Sequence, residues 1–256
     1  MKKIAVLTLL LSHLLRLTAQ QPDPDQVMNK TRELSITGSL SATVSLLITE
    51  KNGMTRSRTI SMTTKSYPDG LEKRFIKFTA PADVKGTSML IADNKDTQDD
   101  MWIYLPALKK TRRIVSSEKG KNFMSSEFSN ADMSSPTLSD FRNRYMPDSG
   151  VPGQWVIEST PLNQEKVDEY GFTKKISYIT KDNYQVRKME FYNFENELFK
   201  VIEIKSVLPL SGGKYLIKEM TARNLLNQRT SVISFTDTNP EAVIDDAVFT
   251  LQNLER

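Results

Sequence analysis

The chain lacks cysteine altogether and holds one histidine, His13. The first absence excludes disulfides, thiolate zinc sites and a cysteine nucleophile. It also excludes a lipid anchor carried on an N-terminal cysteine. The second absence becomes complete once the leader is considered. Met1-Lys2-Lys3 is a basic start, Ile4 to Leu11 is an apolar run, and Leu17-Thr18-Ala19 offers a cleavage site with Ala19 as its last residue. This is the layout of a secretory signal peptide over residues 1–19. His13 and Arg16 interrupt the apolar stretch, which is too short and too polar to span a bilayer. Cleavage removes His13, so the exported chain has neither imidazole nor thiol, and Ser-His-Asp and Cys-His catalysis fall away. Cleavage also removes Lys2, Lys3 and Arg16, so the formal charge drops by three, from +4 to about +1. A nearly neutral exported protein is not expected to bind nucleic acid. No other apolar run is long enough to cross a membrane, so membrane contact is peripheral at most. Without disulfides, stability must come from a core, and residues 20–256 suffice for one large all-β domain.

What is present is mostly β-signal. Runs of β-branched and aromatic residues recur between turn residues. Ser39 to Thr49 and Thr55 to Thr64 flank Asn52-Gly53, a strong hairpin signal. Asp69-Gly70, Asp182-Asn183, Glu195-Asn196, Gly212-Gly213 and Asn227-Gln228 break later runs, and Pro81 ends another. With Met101 to Leu105 and Arg113 to Ser116 the count is about a dozen strands, which predicts antiparallel meander pairing. Alternation is only partial. In Gln185 to Asn193, Met189 and Phe191 share a face with Arg187, so both sheet faces are covered or one lines a cavity. Helices are few: Asp23 to Leu34, Ser139 to Tyr145 with Ser139 as N-cap, and Asn239-Pro240-Glu241 to about Asp246.

The most informative stretch is Met101 to Met133. Met101 to Leu105 is an aromatic strand with Trp102 and Tyr104 on one side and Met101, Ile103 and Leu105 on the other. A basic group follows at Lys109, Lys110, Arg112 and Arg113. Then a Ser- and Asn-rich loop carries Phe123, Met124 and Phe128. Large apolar side chains in a loop need something to bury against, either the protein's own core or a ligand. The residues leave both readings open, and they do not decide which side of the aromatic strand faces a cavity. The basic group reads as a solvated loop or as a contact for lipid head groups or an acidic partner.

The segments Pro81-Ala82-Asp83-Val84-Lys85-Gly86-Thr87, Trp102 to Lys110, Arg112-Arg113-Ile114 and Phe123-Met124-Ser125-Ser126-Glu127-Phe128-Ser129, closed by Asp132 and Met133, resemble the outer-membrane lipoprotein-sorting family, the LolA/LolB-like periplasmic carriers. Weaker local matches extend from about Pro22 onward. The resemblance implies a mainly β fold: a strongly curved antiparallel sheet, or half-barrel, with a few short helices in its concave side. It implies a single carrier domain over residues 20–256, exported to the periplasm. Its apolar cavity would take acyl chains of lipoproteins or lipids, with an inner-membrane transporter as a candidate partner. Trp102, Tyr104, Leu105, Phe123, Met124 and Phe128 are then the candidate cavity or lid residues. Lys109, Lys110, Arg112 and Arg113 are the candidate head-group or partner contacts. Around ten buried methylenes would supply about 8 kcal/mol, and methionine suits irregular apolar cargo.

Two other functions fit the same residues. One is an accessory subunit of an envelope export complex, docking through its curved sheet. The other is a lipid-acting envelope enzyme, which would have to use carboxylates, Lys, Tyr or Ser. Ser116, Ser117 and Lys119 do not establish Ser-Lys chemistry. Asp93, Asn94, Asp96, Asp99 and Asp100 lack the glycine and terminal glutamate of a calcium loop. No catalytic residue, metal or cofactor is expected.

Overall fold

A computed structural model describes residues 21–35, 38–94, 99–135, 137–147 and 150–255. The leader expected over residues 1–19 lies outside them, as do residues 95–98. The first element is α1 (Pro24–Ser35). Asp23 caps it, its Oδ1 accepting from the Asp25 amide at 2.8 Å, and Pro24 takes the first turn. Val27, Met28, Thr31 and Leu34 form a buried stripe at helical spacing.

Thirteen antiparallel strands then build one sheet. They are β1 (Leu40–Thr49), β2 (Thr55–Ser66), β3 (Glu72–Ala80), β4 (Ser88–Ala92), β5 (Asp100–Leu105), β6 (Lys110–Arg113), β7 (Phe141–Tyr145), β8 (Gln154–Pro161), β9 (Lys174–Thr180), β10 (Val186–Tyr192), β11 (Leu198–Pro209), β12 (Tyr215–Asn224) and β13 (Arg229–Asn239). Their order is β6-β5-β4-β3-β2-β1-β13-β12-β11-β10-β9-β8-β7. The chain starts in the middle and meanders out to β6. It then crosses to the far edge at β7 and meanders back until β13 pairs with β1. The sheet does not close on itself, and it forms the curved half-barrel that the sequence led us to expect.

Local turn chemistry sets this meander. Asn52-Gly53 joins β1 to β2, with Gly53 at φ +84°, where glycine is favoured. Every other expected break falls between consecutive strands. Three expectations fail. Ser139 to Tyr145 is not a helix: Leu138–Asp140 makes one 3-10 turn, and Phe141–Tyr145 is the edge strand β7. Phe141 is buried and Arg142 and Arg144 are exposed, so the period is two. Asn239 to Asp246 is not a helix either. Asn239 Oδ1 accepts from the Glu241 amide in a local turn, and the 3-10 turn begins only at Asp246. The strand expected at Arg113 to Ser116 is β6, ending at Arg113, followed by the short helix α2 (Ser116–Lys119). Besides α2, a helix was not expected at Leu251–Leu254 or at α3 (Gln164–Tyr170), the latter capped by Asn163 Oδ1 on the Lys166 amide at 3.0 Å and ended by Gly171 in the left-handed region.

Burial differs between the sheet's two faces. On the concave side Leu40, Val44, Leu46 and Ile48 of β1 continue through Ile60, Ile76, Met89 and Met101 into the main core. The opposite side is covered only locally. There Phe75 and Leu90 pack against Phe249 and Leu254, from the 3-10 turn Asp246–Phe249 and the last helix α4 (Leu251–Leu254). This second cover explains why alternation is lost in β4, where Ser88 to Ile91 are all buried.

Candidate functional site

Between β6 and β7 the chain must travel from one sheet edge to the other, and residues 114–135 and 137–140 do so across the concave face. Their turn is tight. The Phe123 amide donates to the Phe128 carbonyl at 2.7 Å, and the Ser126 hydroxyl donates to the Phe123 carbonyl at 2.7 Å. Met124 and Ser125 both adopt positive φ. This turns Phe123 and Phe128 inward, leaving them 1% and 0% exposed. The Phe123 ring centre lies 5.8 Å from that of Phe78. β13 holds the loop in place. Arg229 donates to the Ser125 carbonyl at 2.7 Å and pairs with buried Glu127 at 2.9 Å, while the Glu127 amide donates to Ser231 Oγ at 2.9 Å. Further on, Asp132 accepts from the Ser129 amide at 2.7 Å and pairs with Lys200 of β11 at 2.7 Å. Arg74 of β3 donates to the Met133 carbonyl.

A second anchor joins α2 to α3. Lys119 and Glu169, 5% and 3% exposed, pair at 2.8 Å. Lys166 bridges Glu169 and Asp140, both at 2.9 Å. Burial alone would raise the Glu169 pKa, but the two lysines outweigh it and hold the group below its ordinary value. The Tyr170 hydroxyl donates to Asp140 at 2.8 Å, and burial with that carboxylate drives its pKa upward. Gly120 packs directly on Gly171: a Cβ at Gly120 would lie 2.8 Å from Gly171 backbone atoms.

Between this crossover, α1 and the sheet lies a pocket of about 340 Å³. Nine of the thirteen strands contribute to its wall. The lining is chiefly apolar: Met28 from α1, Val44, Ile60, Met62 and Ile76 from the first half of the sheet, and Met189, Phe191, Ile202, Leu216, Met220 and Ile233 from the second. Phe123, Phe128 and Met133 line it from the crossover. The core and ligand readings of the loop therefore coincide geometrically, since Phe123 and Phe128 are at once core and pocket wall. Polar groups in the wall are mostly engaged. Glu72 accepts from Ser66 at 2.9 Å and from Ser135 at 2.7 Å. Among the described residues no group of three His, Cys, Asp or Glu converges to hold a metal ion.

The other singled-out residues lie elsewhere. Met124 and Leu105 are partly buried and pack against the main core. Trp102 and Tyr104 sit on the opposite face, against the patch formed by Phe75, Leu90, Phe249 and Leu254. The parity of β5 requires this: Met101 and Ile103 point into the concave core, so their alternates point away. Lys109, Lys110, Arg112 and Arg113 are exposed on and beside edge strand β6. Arg112 pairs with Glu118 at 2.7 Å and Arg113 pairs with Asp100. Charges on a short edge strand also discourage sheet-to-sheet pairing between molecules.

Of the candidate cavity residues only Phe123 and Phe128 line the pocket; the rest of its wall escaped the sequence reading, and its buried lysine is the least expected part. Lys175 lines the wall with Ser177, yet Lys174-Lys175 opens a strand and looks like ordinary surface charge. Its parity with Ile179 was the available signal. Burial pushes the Lys175 ammonium down to about 8, with Asp132 opposing and Lys200 reinforcing the shift.

A family model described as "Uncharacterized protein" matches residues 70–256, well over half of the chain. The chain belongs to that family. A comparison with curated proteins finds no match. Among solved structures the chain is similar to a putative outer membrane lipoprotein-sorting protein domain from Vibrio parahaemolyticus, at 24% identity and a TM-score of 0.82, covering 91% of this chain and 98% of that one. It is similar to a DUF1329 family protein from Desulfovibrio piger at 23% identity and a TM-score of 0.81, covering 91% and 100%. A LolA superfamily protein from Nitrosomonas europaea gives 16% identity and a TM-score of 0.71, again over 91% and 100%. The fold is that of the LolA-like, lipoprotein-sorting proteins. No described helix is long and apolar enough to cross a membrane.

Proposed function

We propose that the protein is a periplasmic carrier that holds acyl chains of lipoproteins or lipids in its half-barrel pocket. The observation that carries this reading is the pocket itself. It is apolar, walled by strands from both halves of the sheet, and roofed by a crossover whose Phe123 and Phe128 face inward. Its volume falls within the ~300–1,000 Å³ range of small-molecule sites. Each methylene moved from water into such a wall contributes about 0.8 kcal/mol, so part of one chain suffices for stable, reversible holding. Carriage of this kind needs no catalytic group. Export through a signal peptide over residues 1–19, with residues 20–256 as one carrier domain, accords with it. Lys109 and Lys110 stay exposed, and they are the side chains of the basic group best available to an acidic partner, such as an inner-membrane transporter, or to lipid head groups.

Native mass spectrometry and lipid extraction of protein purified from envelope fractions test the reading. The expected result is co-purified lipid or acyl-protein, and uptake of a fluorescent fatty-acid analogue once that is removed. Clean protein that takes up no probe sinks it.

A further inference from the structure

We propose that the pocket's ligand is an anionic amphiphile whose head group lies inside the protein, against Lys175. This deepens the acyl-carrier reading and rests on it, because it names which acylated molecules the pocket prefers.

The argument begins with a charge count. Lys175 is 8% exposed and lines the pocket, and among the described residues its ammonium makes no ion pair or hydrogen bond. Its neighbour is the Phe141 ring, 5.3 Å away. On the sheet, Lys175 faces Phe191, and Phe191 in turn faces Lys200, so the three side chains form one row across β9, β10 and β11. Among the described residues the carboxylate acting on that row is Asp132, already engaged by Lys200 and the Ser129 amide. Two buried lysines thus share one anion. An isolated buried cation is costly, and an apolar side chain of similar length would be the more stable choice. A ligand anion would supply the missing charge.

The surroundings define the rest of that ligand. Phe141, Phe172 and Phe191 line the pocket beside Lys175 and offer an apolar wall to hydrocarbon. Lys175 lies four residues before Ile179, which packs beneath α1. That is roughly 13 Å along the strand, so the anion site is at the end of the pocket away from α1. The favoured class is therefore an acidic amphiphile, carboxylate or phosphate, rather than a neutral acyl amide or ester. The lowered pKa of Lys175 is compatible: the group is still largely protonated at neutral pH.

Calorimetric titration of the full purified chain with laurate, dodecyl phosphate and dodecanol at pH 7 tests this. One or both anions should bind at least about tenfold more tightly than the alcohol, as a charge-assisted contact in an apolar site requires. The better of the two identifies carboxylate or phosphate as the natural head. Lys175→Met should erase the preference without lowering the melting temperature. A measurement on the unaltered protein stands beside it: the preference for laurate should fade between pH 7 and 10, as Lys175 loses its proton while the carboxylate stays charged. Equal binding of alcohol and anions to the wild type overturns the proposal but leaves the acyl pocket standing. So does a preference that survives Lys175→Met. Failure of all three ligands overturns both.

Discussion

Two regions lie within ten residues of each other and belong to opposite sides of the molecule. Trp102 to Arg113 makes strands β5 and β6, and its aromatic pair packs outward under the C-terminal turn. Phe123 to Met133 crosses the concave face and buries Phe123 and Phe128 in the pocket wall. In sequence both look like aromatic residues among basic and polar neighbours. The difference is topological. The first region ends at a sheet edge, and the second must reach the other edge, so it is forced over the open face.

The comparison is broken most strongly by truncating one aromatic from each region. Phe128→Ala should cost about 3–5 kcal/mol, as for a fully buried aromatic, and should weaken fatty-acid-probe binding as well. Trp102→Ala should cost less and leave probe binding unchanged. Chemical denaturation and probe titration of the two variants check this, and a loss of binding with Trp102→Ala would contradict the placement. Next in size is the α2–α3 anchor. Lys119→Met removes one of the two lysines paired with buried Glu169, and it should cost about 3 kcal/mol by thermal melts. Gly120→Ala forces apart the backbones at Gly171 and should cost about 1–3 kcal/mol. A smaller and opposite effect is expected at Asp93. Burial first, then Asp99 and Glu72, raise its pKa to about 7 from 3.8. Between those values the folded chain keeps a proton that the unfolded chain has lost, so this group makes stability fall as pH rises, with the cost fully present above 7. Asp93→Asn should raise the melting temperature by a few degrees at pH 7.5 and flatten that slope. Smallest of all, Lys109→Ala with Lys110→Ala should change stability by less than about 0.5 kcal/mol. If these residues meet head groups, the pair should still reduce binding to anionic vesicles.

The meander was legible because hairpin turns are local. Asn52-Gly53, Asp69-Gly70 and Gly212-Gly213 announce themselves within a few residues, and each joins neighbouring strands. A helix at Ser139 to Tyr145 was expected because the five residues of β7 are too few to separate period two from 3.6, and Ser139 suggested a cap. The half-barrel itself came from the family motif, not from strand count. For the candidate site, Phe123 and Phe128 were readable as buried, yet the side taken by Trp102 and Tyr104 was not. That side depends on which face the distant Phe249 and Leu254 cover. Lys175 was missed for a related reason: the charges that act on it, Asp132 and Lys200, are 43 and 25 residues away by number, and only its parity with Ile179 pointed inward.

The first and last strands meet at the centre of the sheet, so the chain consists of two meanders joined by the β1–β13 ladder and by the crossover. Each meander can zip up through short-range contacts, whereas joining them pairs residues about 180 to 200 apart in sequence, the contacts with the largest loop-closure cost. The pocket wall draws on both meanders, so no half-formed molecule owns a pocket. On the proposed carrier reading, cargo would engage only chains that have finished folding, and its binding would act as a clasp that keeps the two halves from parting.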